Sequence, residues 1–419
     1  MRGCSFAMRP LAVLLLVGVA PTLAATPQEL VGRIKAVAAE GKGNAAASAA
    51  WRDLVETGPP ALVPILREFD DRRLVVVNWL RPAVDVIVER AAKTGTPLPV
   101  KELEPFLADR ANSTLGRALA YELVLKAEPA AADRWLPKFL DDPAPDLRRA
   151  GVAKLLADGE KQVDAAVRAA GMVNGIAASV PPGGVFVPPA KRAEVLAVFH
   201  KAFAAACDPD QVDTCAEQMT ALGEKVDVAK KYGFVREWAV VGPFDNGSGK
   251  GFAAVFAPEK AIDLAATYEG KDGKKVTWGG YKTANRRGVV DVNAAVGKVK
   301  GAAAYAYTVI ESPTERPIEI RTGSIAAVKI WLNGKEVFAH EEYHHGMDVD
   351  QYTCRATLKA GKNELLVKTC QNEQREAYAE VWMFQLRLSD ATGAAVPFTV
   401  AAPNVKPIEM KTPATPSDR

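Results

Sequence analysis

The apolar positions of this chain follow two different periods, and the change between them falls near residue 234. From Thr26 to about Gly159 the spacing is helical. Thr26-Pro27-Gln28-Glu29 has the features of a helix start: a capping threonine, proline in the first turn, and glutamate three residues past the cap. Leu30, Ile34, Val37 and Ala38 then recur on one face. Pro59-Pro60 opens a second helix with Leu62, Ile65, Leu66 and Phe69 along its stripe, ended by Asp70-Asp71. A longer helix follows through Leu74, Trp79, Leu80, Val84, Ile87 and Val88. The scheme returns at Leu103, Phe106 and Leu107, at Leu115, Leu119 and Leu123, and at Trp135, Leu136, Phe139 and Leu140. A last stripe, Leu147, Val152, Leu155 and Leu156, runs up to Gly159. Residues 161–188 loosen into Ala, Gly and Pro and predict a linker. Residues 189–232 predict one more helical pair, with Val195, Phe199, Ala202 and Phe203 as its buried stripe.

Beyond Phe234 the pattern alternates. Tyr305, Tyr307 and Val309 alternate, as do Val328, Ile330 and Leu332, and later Trp382, Phe384, Leu386 and Leu388. Turn residues punctuate these runs at Asp272-Gly273, Asn333-Gly334, Gly361 and Asp390–Gly393. The implied architecture is multidomain α + β: helical repeats over 26–160, and an all-β sandwich over 234–402. Residues 403–419 hold four prolines without an apolar pattern and predict a disordered tail.

The sharpest local signal is AAVKIWLNGKEVFA, residues 326–339. Asn-Gly between alternating apolar residues predicts a two-residue hairpin turn, because both turn positions need positive φ. Centring it on Asn333-Gly334 pairs Ile330 with Val337 and Val328 with Ala339 on the core face. Trp331, Phe338, Lys329 and Glu336 fall on the other face.

Two resemblances follow from these residues. WLPKFLDDPAPDLRRAGVAKLLADG, residues 135–159, with its Asp-Asp-Pro turn and Arg148-Arg149-Ala150 start, resembles HEAT repeats. IWLNGKEVFA and the later TLKAGKNELLVKTCQN, with Asn333, Gly334, Gly361 and Asn363 at its turns, resembles galactose-binding-like jelly-roll modules. The opening WAVVGPFDN, Trp238–Asn246, is similar to the start of such domains in secreted bacterial proteins. The resemblance implies a jelly-roll fold and a non-catalytic role, binding carbohydrate or packing structurally, beside repeats that contact protein.

Composition narrows the partners. With 48% hydrophobic and 25% charged residues the chain is of globular type, and its formal net charge of +3 leaves no concentrated basic face for nucleic acid. Residues 1–24, with Arg2, Arg9, an apolar run from Leu11 to Ala20 and Thr22-Leu23-Ala24, predict a cleaved secretory signal and export to periplasm or medium. No later apolar run reaches spanning length. Four cysteines remain after Cys4 leaves with the signal, and an oxidising compartment predicts disulfides, with Cys207–Cys215 and Cys354–Cys370 as the sequence-near pairs. A hairpin of residues 352–371 turning near Gly361 would set Cys354 opposite Lys368, two residues off register, so the second bond needs a different turn. No cofactor is implied.

Candidate chemistry is concentrated after the hairpin. His340-Glu341-Glu342-Tyr343-His344 matches the zinc-protease motif H-E-x-x-H and makes a zinc hydrolase the alternative function. That chemistry needs a helix, where residues four apart are neighbours, whereas here the motif follows a strand and precedes Gly346. The expectation is a polar loop. Asp348 and Asp350 are candidate calcium ligands. Trp331, Tyr343, His344 and His345 are the candidate ligand-binding side chains, Trp331 because the hairpin register turns it away from the core.

Overall fold

The computed structural model describes residues 25–69, 73–173, 187–401 and 403–408, so the proposed signal sequence lies outside it. The chain divides into two compact units, Met1–Pro129 and Ala130–Arg419. The boundary falls well before the expected end of the helical repeats at 160.

The first unit is helical: α1 (Pro27–Lys35), α2 (Asn44–Thr57), α3 (Leu62–Leu66), α4 (Leu74–Thr94), α5 (Val100–Ala108) and α6 (Thr114–Ala127). The start of α1 is the reciprocal cap expected from its sequence. The Glu29 N–H donates to Thr26 Oγ1 at 3.3 Å, and the Thr26 N–H donates to the Glu29 carboxylate at 2.8 Å. Leu62, Ile65, Leu66 and Phe69 are all buried, but Leu74 at the head of α4 is 59% exposed.

The second unit begins with α7 (Ala131–Trp135), α8 (Pro145–Val173), α9 (Pro189–Ala205), α10 (Pro209–Ala221) and α11 (Val228–Tyr232). Helix α8 does not stop at Gly159. It continues to Val173, so residues 161–173 of the expected linker are helix. Gly159 is a contact glycine: a Cβ there would lie 2.8 Å from the Phe199 ring, which packs against α8. Val152, Leu156, Val195, Phe199, Val212, Met219 and Tyr232 share one core among these helices.

The strands form two antiparallel sheets and a separate two-stranded antiparallel ribbon over residues 267–277. The larger has the order β4 (Gly279–Lys282), β1 (Glu237–Asp245), β6 (Ala302–Ser312), β11 (Gly361–Gln371), β8 (Ala327–Leu332), β9 (Lys335–His340), with β13 (Thr399–Ala401) also on β6. The smaller runs β10 (Tyr352–Leu358), β7 (Arg316–Ser324), β12 (Met383–Ser389), β5 (Val290–Asp291). Val328, Ile330, Leu332, Leu365 and Val367 from the first sheet meet Ile318, Ile320, Phe384, Leu386 and Leu388 from the second in a common core.

Both sheets are also covered on their outer faces. On the larger, Tyr305, Tyr307 and Leu366 lie under the segment carrying α12 (Lys250–Ala253), α13 (Ala257–Lys260), β2 (Thr267–Glu269) and β3 (Lys275–Thr277). Lys368 fastens that cover. It is fully buried, and its ammonium donates to the Glu259 carboxylate at 2.8 Å and to the carbonyls of Ala254 (2.6 Å) and Phe252 (3.2 Å). On the smaller sheet the alternate residues of β12 are buried and polar: Gln385, Arg387 and Ser389. Arg387 donates to both oxygens of Asp350 (2.6 and 2.5 Å) and to the carbonyls of Tyr232 (3.1 Å) and Gly393 (2.8 Å). Arg321 adds a bond to the same carboxylate at 2.8 Å. The calcium assignment therefore fails at Asp350, whose oxygens are taken by two guanidiniums, and Asp348 stands exposed beside it.

The Asn333-Gly334 turn forms as expected, with φ of +52° and +76°. Its register differs by one residue. Leu332 pairs with Lys335 and Trp331 with Glu336, and then Val337 is the extra residue of a bulge, so Ile330 faces Phe338 and Val328 faces His340. The turn leans on its neighbour: Asn333 Nδ2 donates to Asn363 Oδ1 at 3.0 Å, and the Glu364 N–H donates to Asn333 Oδ1 at 3.0 Å. Asn363, fully buried, also bonds the N–H and carbonyl of Lys359 and the carbonyl of Gly361.

All four described cysteines are free thiols, which overturns both expected bonds. Strands β10 and β11 do not form a hairpin with each other. Cys354 packs toward the inter-sheet core, while Cys370 belongs to the outer cluster on the far face of the larger sheet. Cys207 instead accepts from Arg148 Nη1 at 2.9 Å, and Cys215 is buried in α10. Burial pushes the thiols of Cys215 and Cys370 up to about 12 and that of Cys354 up to about 11.

Two stability predictions follow from these buried polar groups. Asn363→Ala strips partners from two adjoining turns and should cost about 2–3 kcal/mol in urea unfolding. Burial pushes the Asp350 carboxyl up, but the bonds and charges of Arg387 and Arg321 outweigh it and hold it below its ordinary value. Its contribution is then intact above the unfolded value of roughly 3.9 and lost as pH falls through the folded one. Asp350→Asn should destabilise at neutral pH by about 3 kcal/mol and flatten the acid limb of the stability profile.

Candidate functional site

Strand β9 is an edge of the larger sheet and β10 an edge of the smaller, so loop 341–351 closes one side of the sandwich. Two of its residues sit in the left-handed region, His344 (φ +59°) and Asp350 (φ +61°). The N–H of His344 donates to the Ile325 carbonyl at 2.9 Å. In a helix it would donate to His340. The metalloprotease motif is thus laid out along a loop, as its sequence context predicts.

The three imidazoles have separate partners. His340 Nε2 lies 2.9 Å from the Glu342 carboxylate, which this contact holds below its usual range. His344 Nε2 meets Asn372 Oδ1. His345 Nδ1 lies 2.9 Å from both the Gly346 carbonyl and the Gln351 amide. Among the described residues no three His, Cys, Asp or Glu side chains converge on a point that could hold a metal ion.

The loop sorts its side chains into two groups. Tyr352 centres one, with ring centroids of His340 at 4.6 Å, Phe338 at 5.4 Å and His345 at 6.2 Å. Burial, then the Glu342 charge, raises the Tyr352 phenol. The other group faces residues 371–378. Tyr343 lies 3.4 Å from Asn246 Nδ2 and donates to Glu341 at 3.2 Å, and burial pushes its phenol up to about 12. His344 lies edge-on to Tyr378 at 6.3 Å, and Asn372 donates to Gln374 at 3.0 Å. Tyr378 is 61% exposed. Nδ1 of His344 and Nε2 of His345 are buried without a protein partner among the described residues.

Of the four sequence candidates, Tyr343, His344 and His345 share this loop. Trp331 does not belong to an open surface: it is half-buried against the outer apolar cluster, beside Leu366. Tyr378 and Asn372 were not foreseen. Their only sequence signal is a lone tyrosine within the charged run of residues 373–380.

The first unit has a cleft of its own, about 590 Å³, between the C-terminal ends of α4 and α6 and the start of α5. Val88, Ala91, Leu98 and Pro99 line it, with Lys101 and Lys126.

No helix among the described residues is long and apolar enough to cross a membrane. Comparison with known proteins finds no matching family model and no matching curated protein. Among solved structures, a beta-glucosidase from Kluyveromyces marxianus in complex with glucose is 12% identical over 36% of this chain and 15% of its own, with a TM-score of 0.20. A GH31 alpha-xylosidase from Xanthomonas citri is 13% identical over 22% of this chain and 12% of its own, with a TM-score of 0.15. This chain therefore spans less than a sixth of either enzyme, and at these scores neither likeness bears on what it does.

If the histidines of residues 340–344 do not act together, zinc titration by calorimetry should give the same weak isotherm for the native chain and for His344→Ala. A stoichiometric site lost in that variant would restore the hydrolase reading.

Proposed function

We propose that this chain is a non-catalytic, exported binding protein whose second unit holds a carbohydrate at loop 341–351 and residues 371–378. The observation that carries this reading is the exposed Tyr378 ring standing edge-on to His344, which in turn meets Asn372 and, through it, Gln374. A sugar ring presents an apolar C–H face and a rim of hydroxyls, which suits an aromatic plane bordered by amide and imidazole groups. The helices of residues 26–160, read as HEAT-like repeats, would contact a protein, and those within the first unit offer the cleft beside Lys101 and Lys126.

The test is a glycan array followed by affinity measurement on the best polysaccharide. Tyr378→Ala should weaken binding at least about tenfold while leaving the thermal midpoint unchanged, since the ring is mostly in solvent. Absence of retention on every polysaccharide by the folded protein would overturn the assignment.

A further inference from the structure

Residues 403–408, the described part of the expected disordered tail, are held against the sheet, while residues 409–419 lie outside the described residues. Residues 403–408 lie along the outer edge of β4. The Gly280 N–H donates to the Lys406 carbonyl at 2.8 Å, and the Ile408 N–H donates to the Gly280 carbonyl at 2.8 Å. The pairing is parallel, with Gly280 opposite Pro407. Val405 packs on the outer apolar cluster and Ile408 on the inter-sheet core, so the segment grips the edge strand from both faces. The sequence of β4 makes room for this. A Cβ at Gly279 would collide with the Ile408 side chain, and one at Gly280 would touch Pro407 and Val405.

We propose that the β4 edge is a strand-acceptor groove for an extended Val-x-Pro-Ile segment, and that residues 403–408 are its resident, releasable occupant. An unpaired edge strand offers a row of backbone donors and acceptors to any extended chain, and adding a strand there is a general mode of peptide capture. Specificity comes from Val405 and Ile408, which pack on opposite faces of the edge strand. Release is favoured by the small number of ladder bonds. Pro403 and Pro407 have no N–H, and among the described residues only Gly280 is bonded to the segment from the sheet side. The occupant does not fill the space: a cavity of about 280 Å³ remains, bounded by Trp238, Tyr281, Pro403, Val405 and Ile408.

The experiment removes the strap and returns it in trans. A chain ending at Ala401 should bind a labelled synthetic peptide of residues 403–408 saturably. The full chain should bind it at least about tenfold more weakly, because its own tail competes at high effective concentration. Changing the peptide isoleucine to serine should weaken binding at least about tenfold, and Gly279→Val in the shortened chain should abolish it. A shortened chain that dimerises, and that the peptide dissociates, supports the same groove. If the shortened chain is folded and ignores the peptide, or dimerises indifferently to it, the proposal fails. If the shortened chain does not fold, hydrogen exchange on the full chain decides. Gly279→Val should then remove amide protection at Gly280 and Ile408 while the remaining sandwich stays protected, and retained protection there would overturn the groove.

Discussion

The position of everything around the candidate site goes back to one buried guanidinium. Arg387 is 1% exposed, so its guanidinium donors must find acceptors inside the protein. It finds them in three separate pieces of chain: Asp350, the carbonyl of Tyr232 at the end of α11, and the carbonyl of Gly393 in the turn after β12. Asp350 takes a left-handed backbone to serve it. That fixes the far end of loop 341–351, while β9 fixes the near end. Breaking this pair would leave a charge stranded against the sheet, a much larger penalty than the loss of a surface ion pair.

Lys368 plays the corresponding part on the other sheet. Its three donors are satisfied by Glu259, Phe252 and Ala254, which ties the segment carrying α12 and α13 over Tyr305 and Tyr307. Covering both outer faces removes the flat surfaces on which a sandwich could present aromatic residues to a ligand. Trp331 is absorbed by such a cover. What stays open are the edges, and these hold the two features of functional interest: the imidazole and tyrosine groups between β9 and β10, and the glycine edge of β4.

Local signals in the sequence were reliable where the chemistry is local. The capping box at Thr26, the left-handed Asn333-Gly334 pair and the inward alternation of Phe384, Leu386 and Leu388 depend only on residues within a few positions of one another. The loop course of residues 341–344 is equally legible, because a strand end and a nearby glycine leave no room for a helix. The same reasoning misread Gly159 as a stop, when a ring from α9 requires the missing Cβ, and it missed the bulge at Val337 that shifts half of the hairpin.

The sequence by itself determined the α + β division, the change of period near residue 234, the principal turns, and the loop character of the histidine segment. Only the tertiary structure decided that Asp350 serves arginines, that Cys354 and Cys370 lie in different sheets, that Tyr378 stands beside His344, and that residues 403–408 clasp β4. The physical reason is separation along the chain. Periodicity and turn chemistry act over a few residues, whereas each of these outcomes joins groups brought together by strand order, which no short stretch of sequence encodes.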